Sequence, residues 1–235
     1  MRISKQSTMR ILGSAAFGLL ALCAPQAGAA SLTVNGYTLG EQVNVVGSGR
    51  SGWVNTAELD VTLGGANGYS YCVDLGQNIG VGSSNNWSLR EAEASTGVIR
   101  AAWLVEHFRP AFDVLIAPTS DAFAWGSTKA TAIAALQVAV WEVLAEAPGA
   151  YNLYDGGFRV TSGGASAGVM NLARNFLGEL EAQSIAGFTT DSTWAYHALR
   201  QDQIVVVNPI PEPSSILLFV GGAGLVAFAA KRKRA

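Results

Sequence analysis

Pro209-Ile210-Pro211-Glu212-Pro213 limits every fold open to this chain. Prolines this dense remove backbone donors and fix φ, so no regular helix or central strand can run through them. Ser214 and Ser215 follow, then an uncharged apolar run over 216–230, then Lys231-Arg232-Lys233-Arg234. Segment 214–230 reads as a transmembrane helix, short against the about 20 residues that usually cross a bilayer. A basic cluster stays on the cytoplasmic side, which puts everything before Pro209 on the outer side. Residues 208–235 therefore form a tail, separate from the folded body.

The opposite end has its own signature. Arg2, Lys5 and Arg10 precede an uncharged apolar stretch over 11–23, and Ala27-Gly28-Ala29 supplies small residues at alternate positions. This is the pattern of a secretory signal peptide, residues 1–30, removed by signal peptidase. The apolar stretch is short for a membrane anchor. Lipid attachment at Cys23 would need a small residue before it, and Leu22 stands there.

Removing both ends changes what remains. The whole chain has 15 basic and 17 acidic residues. The ends take seven of the basic residues and one acid, Glu212, leaving eight basic and sixteen acidic residues in the body, 31–207. An acidic body is a poor polyanion binder, so nucleic acid is excluded as a partner. Cys23 leaves with the signal, and Cys72 is then the body's one cysteine. Exported domains usually use cysteines in pairs. A single one is a small buried hydrophobe, an intermolecular link or a reactive group. The body has no Cys/His cluster for a metal, and nothing in it calls for a cofactor.

Within the body, 32–34, 43–46 and 59–63 read as strands separated by glycine-rich turns. A further strand over 69–75 places Tyr71 and Val73 on one face, and Ser70, Cys72 and Asp74 on the other. Apolar spacing predicts helices over 96–108, ended by Arg109-Pro110, and over 127–147 with Ser127 as N-cap. A third helix covers 167–184, and short strands cover 158–161 and 203–207. The order β, then α, then β implies an α+β fold: a β-sandwich or barrel-like domain with a helical insertion. On the second helix Gln137 lies one turn from both Ile133 and Trp141. A carboxamide there is either hydrogen-bonded in the core or turned to solvent.

Two resemblances add to this reading. Pro211-Glu212-Pro213, the apolar run and the basic end resemble the PEP-CTERM sorting signal. That resemblance implies recognition by an exosortase in a Gram-negative envelope, transient anchoring in the inner membrane through the C-terminal segment, and delivery to the cell surface or extracellular matrix. Tyr71-Cys72-Val73-Asp74 and Gln137-Val138-Ala139-Val140-Trp141 together resemble the thioester domains of bacterial surface proteins. There a strand cysteine is joined to a helical glutamine, which implies an internal thioester between Cys72 and Gln137. Such a bond stores an activated acyl group for amines or hydroxyls on surface or matrix polymers. Tyr71, Trp141 and Trp103 are the expected packing and shielding residues around it. Gln77 is nearer in sequence, but Cys72-Val73-Asp74-Leu75 lacks the Cys-Gly-Glu-Gln run of complement-type thioester proteins. Lys129 is the body's only lysine, against seven arginines. Few internal amines suit a protein carrying an acyl donor; base composition produces the same bias.

Two other classes compete. A cysteine hydrolase would take His107 or His197 as its base, yet nothing around Cys72 resembles a protease nucleophile turn. The expectation is therefore that the protein is not an enzyme. A non-covalent matrix or exopolysaccharide module would use Trp53, Trp87 and Trp194 with the Asn85-Asn86 loop to stack on sugars.

Overall fold

The structure is a computed structural model and describes residues 30–47, 49–112, 128–183 and 185–207. The signal sequence before Ala30, the Ser127 cap and the 214–230 segment lie outside the described residues. No helix among the described residues is long and apolar enough to cross a membrane.

The first strand, β1, is Ala30–Gly47, one long element where two short strands were expected. Register shifts between Val34 and Gly36 and between Leu39 and Gln42 mark irregularities that the strand accommodates without ending. Bulges of this kind bend a strand and let it serve two parts of a sheet. Its start pairs with both β2 (Arg50–Leu63) and β4 (Gly82–Glu91), and its end pairs with β2 and β5 (Phe158–Val160). Next to β2 comes β3 (Ala66–Cys72), then β7 (Gln203–Val207), β6 (Ser192–Tyr196) and β4 again. These antiparallel pairings close a ring of six strands, with β5 added outside it. Closure gives each strand of the ring a neighbour on both sides over at least part of its length.

Turn chemistry aims β3 at the site. Leu63 pairs with Ala66 across Gly64 and Gly65, whose φ values are 60° and 89°. A two-residue hairpin loop with two positive φ angles matches the twist of its strands, and glycine adopts it without strain.

The structure is α+β, as the element order implied. Leu32, Val61, Trp87 and Val205 fill the barrel. A larger core lies between the outer face of the barrel and three helices: α1 (Thr96–Phe112), α2 (Lys129–Ala145) and α3 (Ala167–Ala182). Every residue of α2 from Thr131 to Val143 is buried, the mark of a central helix enclosed on all sides. Its alanines and Gly40 permit that approach: a Cβ on Gly40 would lie 2.9 Å from the Ala134 nitrogen.

Several boundaries differ from the sequence reading. Helix α1 runs through Pro110 to Phe112. A proline near a helix end removes a single intrahelical bond and leaves room for a final half-turn. Thr128 caps α2, its hydroxyl accepting from the Thr131 amide at 3.1 Å. Strand β3 stops at Cys72, three residues before its expected end. Strands β4 and β6 were not anticipated. In β4 the one buried side chain is Trp87, so its sequence carries no apolar alternation.

Candidate functional site

Cys72 ends β3 at a place where the sheet parts. The β2–β3 register stops at Leu59 opposite Ser70, whereas β7 still pairs as far as Cys72 opposite Gln203. The Val73 amide donates to the Asp202 carbonyl at 2.8 Å. Ladder bonds alternate sides along a strand. The Cys72 amide and carbonyl therefore face the gap that β2 has left.

Gln137 fills that gap from α2. Its Oε1 accepts from the Cys72 amide at 3.0 Å, and its Nε2 donates to the Cys72 carbonyl at 2.7 Å. One carboxamide thus replaces one residue of strand. Both groups are buried, and leaving either backbone group unpaired would cost about 1–3 kcal/mol. Of the two placements open to Gln137, the structure has the hydrogen-bonded one in the core.

The sulfur sits on the face shared by Ser70 and Gln203. Gln203 Nε2 donates to Cys72 Sγ at 3.6 Å and to the Gln201 carbonyl at 3.0 Å, and Gln203 Oε1 accepts from Ser70 Oγ at 3.0 Å. Burial pushes the Cys72 thiol up to about 12; the Gln203 bond opposes this and the nearby Asp74 charge adds to it. The group is a thiol at neutral pH. Asp74 is itself a staple: its carboxylate accepts from the Gln77 amide at 3.0 Å and from the Asp202 amide at 2.9 Å. That ties the segment after β3 to the segment before β7.

Tyr71 faces the other way. Its hydroxyl donates to Glu58 Oε2 at 3.0 Å, and Arg109 of α1 reaches the same carboxylate with Nε at 2.9 Å and Nη2 at 2.8 Å. Burial, then the Glu58 charge, pushes the Tyr71 phenol well above its ordinary range. Tyr71 therefore locks β3 to β2 and α1 from the face opposite the sulfur.

Trp141 stands one turn beyond Gln137, is 4% exposed, and lines a cleft of about 370 Å³ together with Cys72. Its indole Nε1 is buried with no partner among the described residues, as is Oε1 of Gln77, another residue lining the cleft. Trp103 is elsewhere. It stacks on His107 at 4.4 Å, and His107 Nε2 lies 3.6 Å from Glu179 of α3. The structure thus brings Cys72, Gln137 and Trp141 together and sets Trp103 apart from the cleft.

The histidines are also apart. His197 packs on Trp87 at 5.0 Å, and its Nδ1 accepts from the Leu199 amide at 3.1 Å. Neither histidine lines the cleft with Cys72, so no imidazole stands ready to deprotonate it. The tryptophan trio proposed for sugar stacking is dispersed. Trp87 is fully buried with its Nε1 on Ser84 Oγ at 2.8 Å, and Trp194 lies under the Arg90 guanidinium, 4.9 Å from its centroid. Trp53 alone is open, at 56%.

The sequence reading missed Gln203. A glutamine heading the apolar run 204–207 of a closing strand is the one signal the sequence offers. Gln77, near Cys72 in sequence, is a cleft residue in the structure.

Residues 209–234 match the PEP-CTERM protein-sorting motif. The chain carries a PEP-CTERM sorting signal. Pro211, Glu212 and Pro213 lie within the match. This PEP-CTERM signal implies exosortase processing and export to the envelope or cell surface. No curated protein and no solved structure matches the chain. Export places Cys72 outside the cytoplasm, where a lone thiol has no reducing pool to protect it.

Proposed function

We propose that this exported, exosortase-sorted protein forms an internal thioester between Cys72 Sγ and the Gln137 side-chain carbonyl carbon, and spends it on covalent attachment to surface or matrix polymers bearing amines or hydroxyls. The observation that carries the reading is the docking of the Gln137 carboxamide on the Cys72 main chain, across 65 residues of sequence.

The chemistry balances without an added reagent. The thiol adds to the amide carbon, the C–N bond breaks, and ammonia leaves with the thiol proton. An amide is a poor electrophile, and folding supplies the missing proximity; aligned groups reach effective molarities of about 10⁵ M or more. The Cys72 N–H already points at Oε1, where negative charge develops during addition. The Cys72 carbonyl holds Nε2, the nitrogen that departs. Each molecule reacts once with its target, so the attachment is stoichiometric rather than catalytic, and no cofactor or metal takes part.

Intact mass of the secreted protein tests this. The expected mass is one ammonia below that of the sequence; methylamine adds its own mass, leaving the protein one methylene heavier than the sequence, and frees Cys72 for alkylation. Cys72→Ala removes the deficit. A full sequence mass with a freely alkylated Cys72 from the outset contradicts the proposal. In that case retention on exopolysaccharide through Trp53 and Tyr37, exposed on the β1–β2 hairpin at 56% and 55%, is the reading left.

A further inference from the structure

We propose that the cleft beside Cys72 docks a saccharide and directs the Gln137 acyl group to one of its hydroxyls; this rests on the thioester reading above. Trp141 and Gln77 line that cleft, and each keeps a buried polar atom with no partner among the described residues, the donor Nε1 and the acceptor Oε1. Buried polar groups are almost always hydrogen-bonded, so an unpaired one marks a place for a ligand atom or a water. A hydroxyl accepts from the indole and donates to the carboxamide. An ammonium only donates, and leaves the indole N–H unserved.

Charge points the same way. Among the described residues Arg50 is the one charged side chain lining the cleft, and no carboxylate lines it. A lysine ammonium entering there meets a cation and no counter-ion, and a neutral sugar meets neither penalty. The rest of the lining suits a ring of hydroxyls. Asn55 and Asn78 contribute carboxamides, and Tyr37, exposed at the mouth, offers an aromatic face to sugar C–H groups. A volume of about 370 Å³ falls within the ~300–1,000 Å³ of small-ligand clefts. A serine side chain shares the hydroxyl, but has no further hydroxyls for these amides.

The transfer is balanced. The sugar oxygen bonds to the Gln137 acyl carbon, the C–S bond breaks, and the hydroxyl proton ends on Cys72 sulfur as a thiol. Burial keeps that sulfur strongly basic once released, with a thiol near 12. The leaving sulfur therefore takes the proton that a general base would otherwise remove.

The test incubates the secreted protein separately with methyl β-glucoside, N-acetylserine amide and methylamine at one concentration, and reads intact mass. The expected result is a glucoside adduct with Cys72 newly alkylatable, formed at least tenfold faster than the serine adduct. Trp141→Phe and, independently, Gln77→Leu lower the ratio of glucoside transfer to methylamine opening at least tenfold. An ammonia deficit opened by methylamine with no glucoside adduct, or with serine reacting as fast, overturns the saccharide assignment alone. An absent deficit overturns the thioester reading itself.

Discussion

The two faces of β3 are built to opposite ends. On one, Tyr71, Glu58 and Arg109 form a network in which the carboxylate takes three hydrogen bonds. On the other, the Cys72 sulfur has a single long contact from Gln203 and borders a cleft with two unpaired polar atoms. Neighbouring residues thus carry a saturated structural lock and a sulfur with one long contact. The lock ties β3 to β2 and α1 on the face opposite the sulfur.

The largest effect should come from breaking the lock. Glu58→Ala removes the Glu58 carboxylate from the largely buried Arg109 guanidinium and takes the Glu58 acceptor from the Tyr71 hydroxyl. Losing one partner of a buried pair costs about 3–5 kcal/mol. Chemical denaturation of the variant measures this. A loss below 1 kcal/mol would show that the two faces do not divide as described.

A second prediction sharpens the reactive face. With methylamine having opened the bond, Cys72 alkylation should accelerate about tenfold per pH unit through pH 10, without the plateau near 8.5 of an ordinary thiol. The thiol is raised in the folded state, so its contribution to stability is complete below the ordinary thiol pKa and fades as pH climbs toward 12. A plateau near pH 8.5 would mean that the sulfur is solvated.

The smallest effect lies away from both faces. Glu142 of α2 is buried; its Oε1 accepts from the Asn152 amide and its Oε2 has no partner. Burial pushes its carboxyl from 4.5 to about 7, with the Asn152 bond opposing the shift. A raised carboxyl binds its proton more tightly folded than unfolded, so stability should fall as pH rises from 4.5 to 7. Melting temperatures across that range check it, and Glu142→Gln should flatten the trend.

Much of this division was legible before any coordinates. Export and the tail followed from proline chemistry and charge placement, and α2 from its apolar continuity. Alternation along 69–72 already put Tyr71 and Cys72 on opposite faces, and the structure keeps them there. The closed ring was not legible in full, because it depends on bulges in β1 and on β4, whose polar surface hides its pairing. Gln203 and the unpaired atoms of Trp141 and Gln77 were hidden for a different reason. Their meaning comes from which distant segments meet, and no local pattern encodes that. Trp103 shows the converse: an aromatic on the right helix pattern that the fold directs toward His107 instead.

The most direct measurement is tandem mass spectrometry of an acidic digest of the unreacted secreted protein. The account predicts one cross-linked species joining the peptide of Cys72 to the peptide of Gln137, lighter by one ammonia than the two separately. Two free peptides, or a link from Cys72 to Gln77 or Gln203, would contradict it.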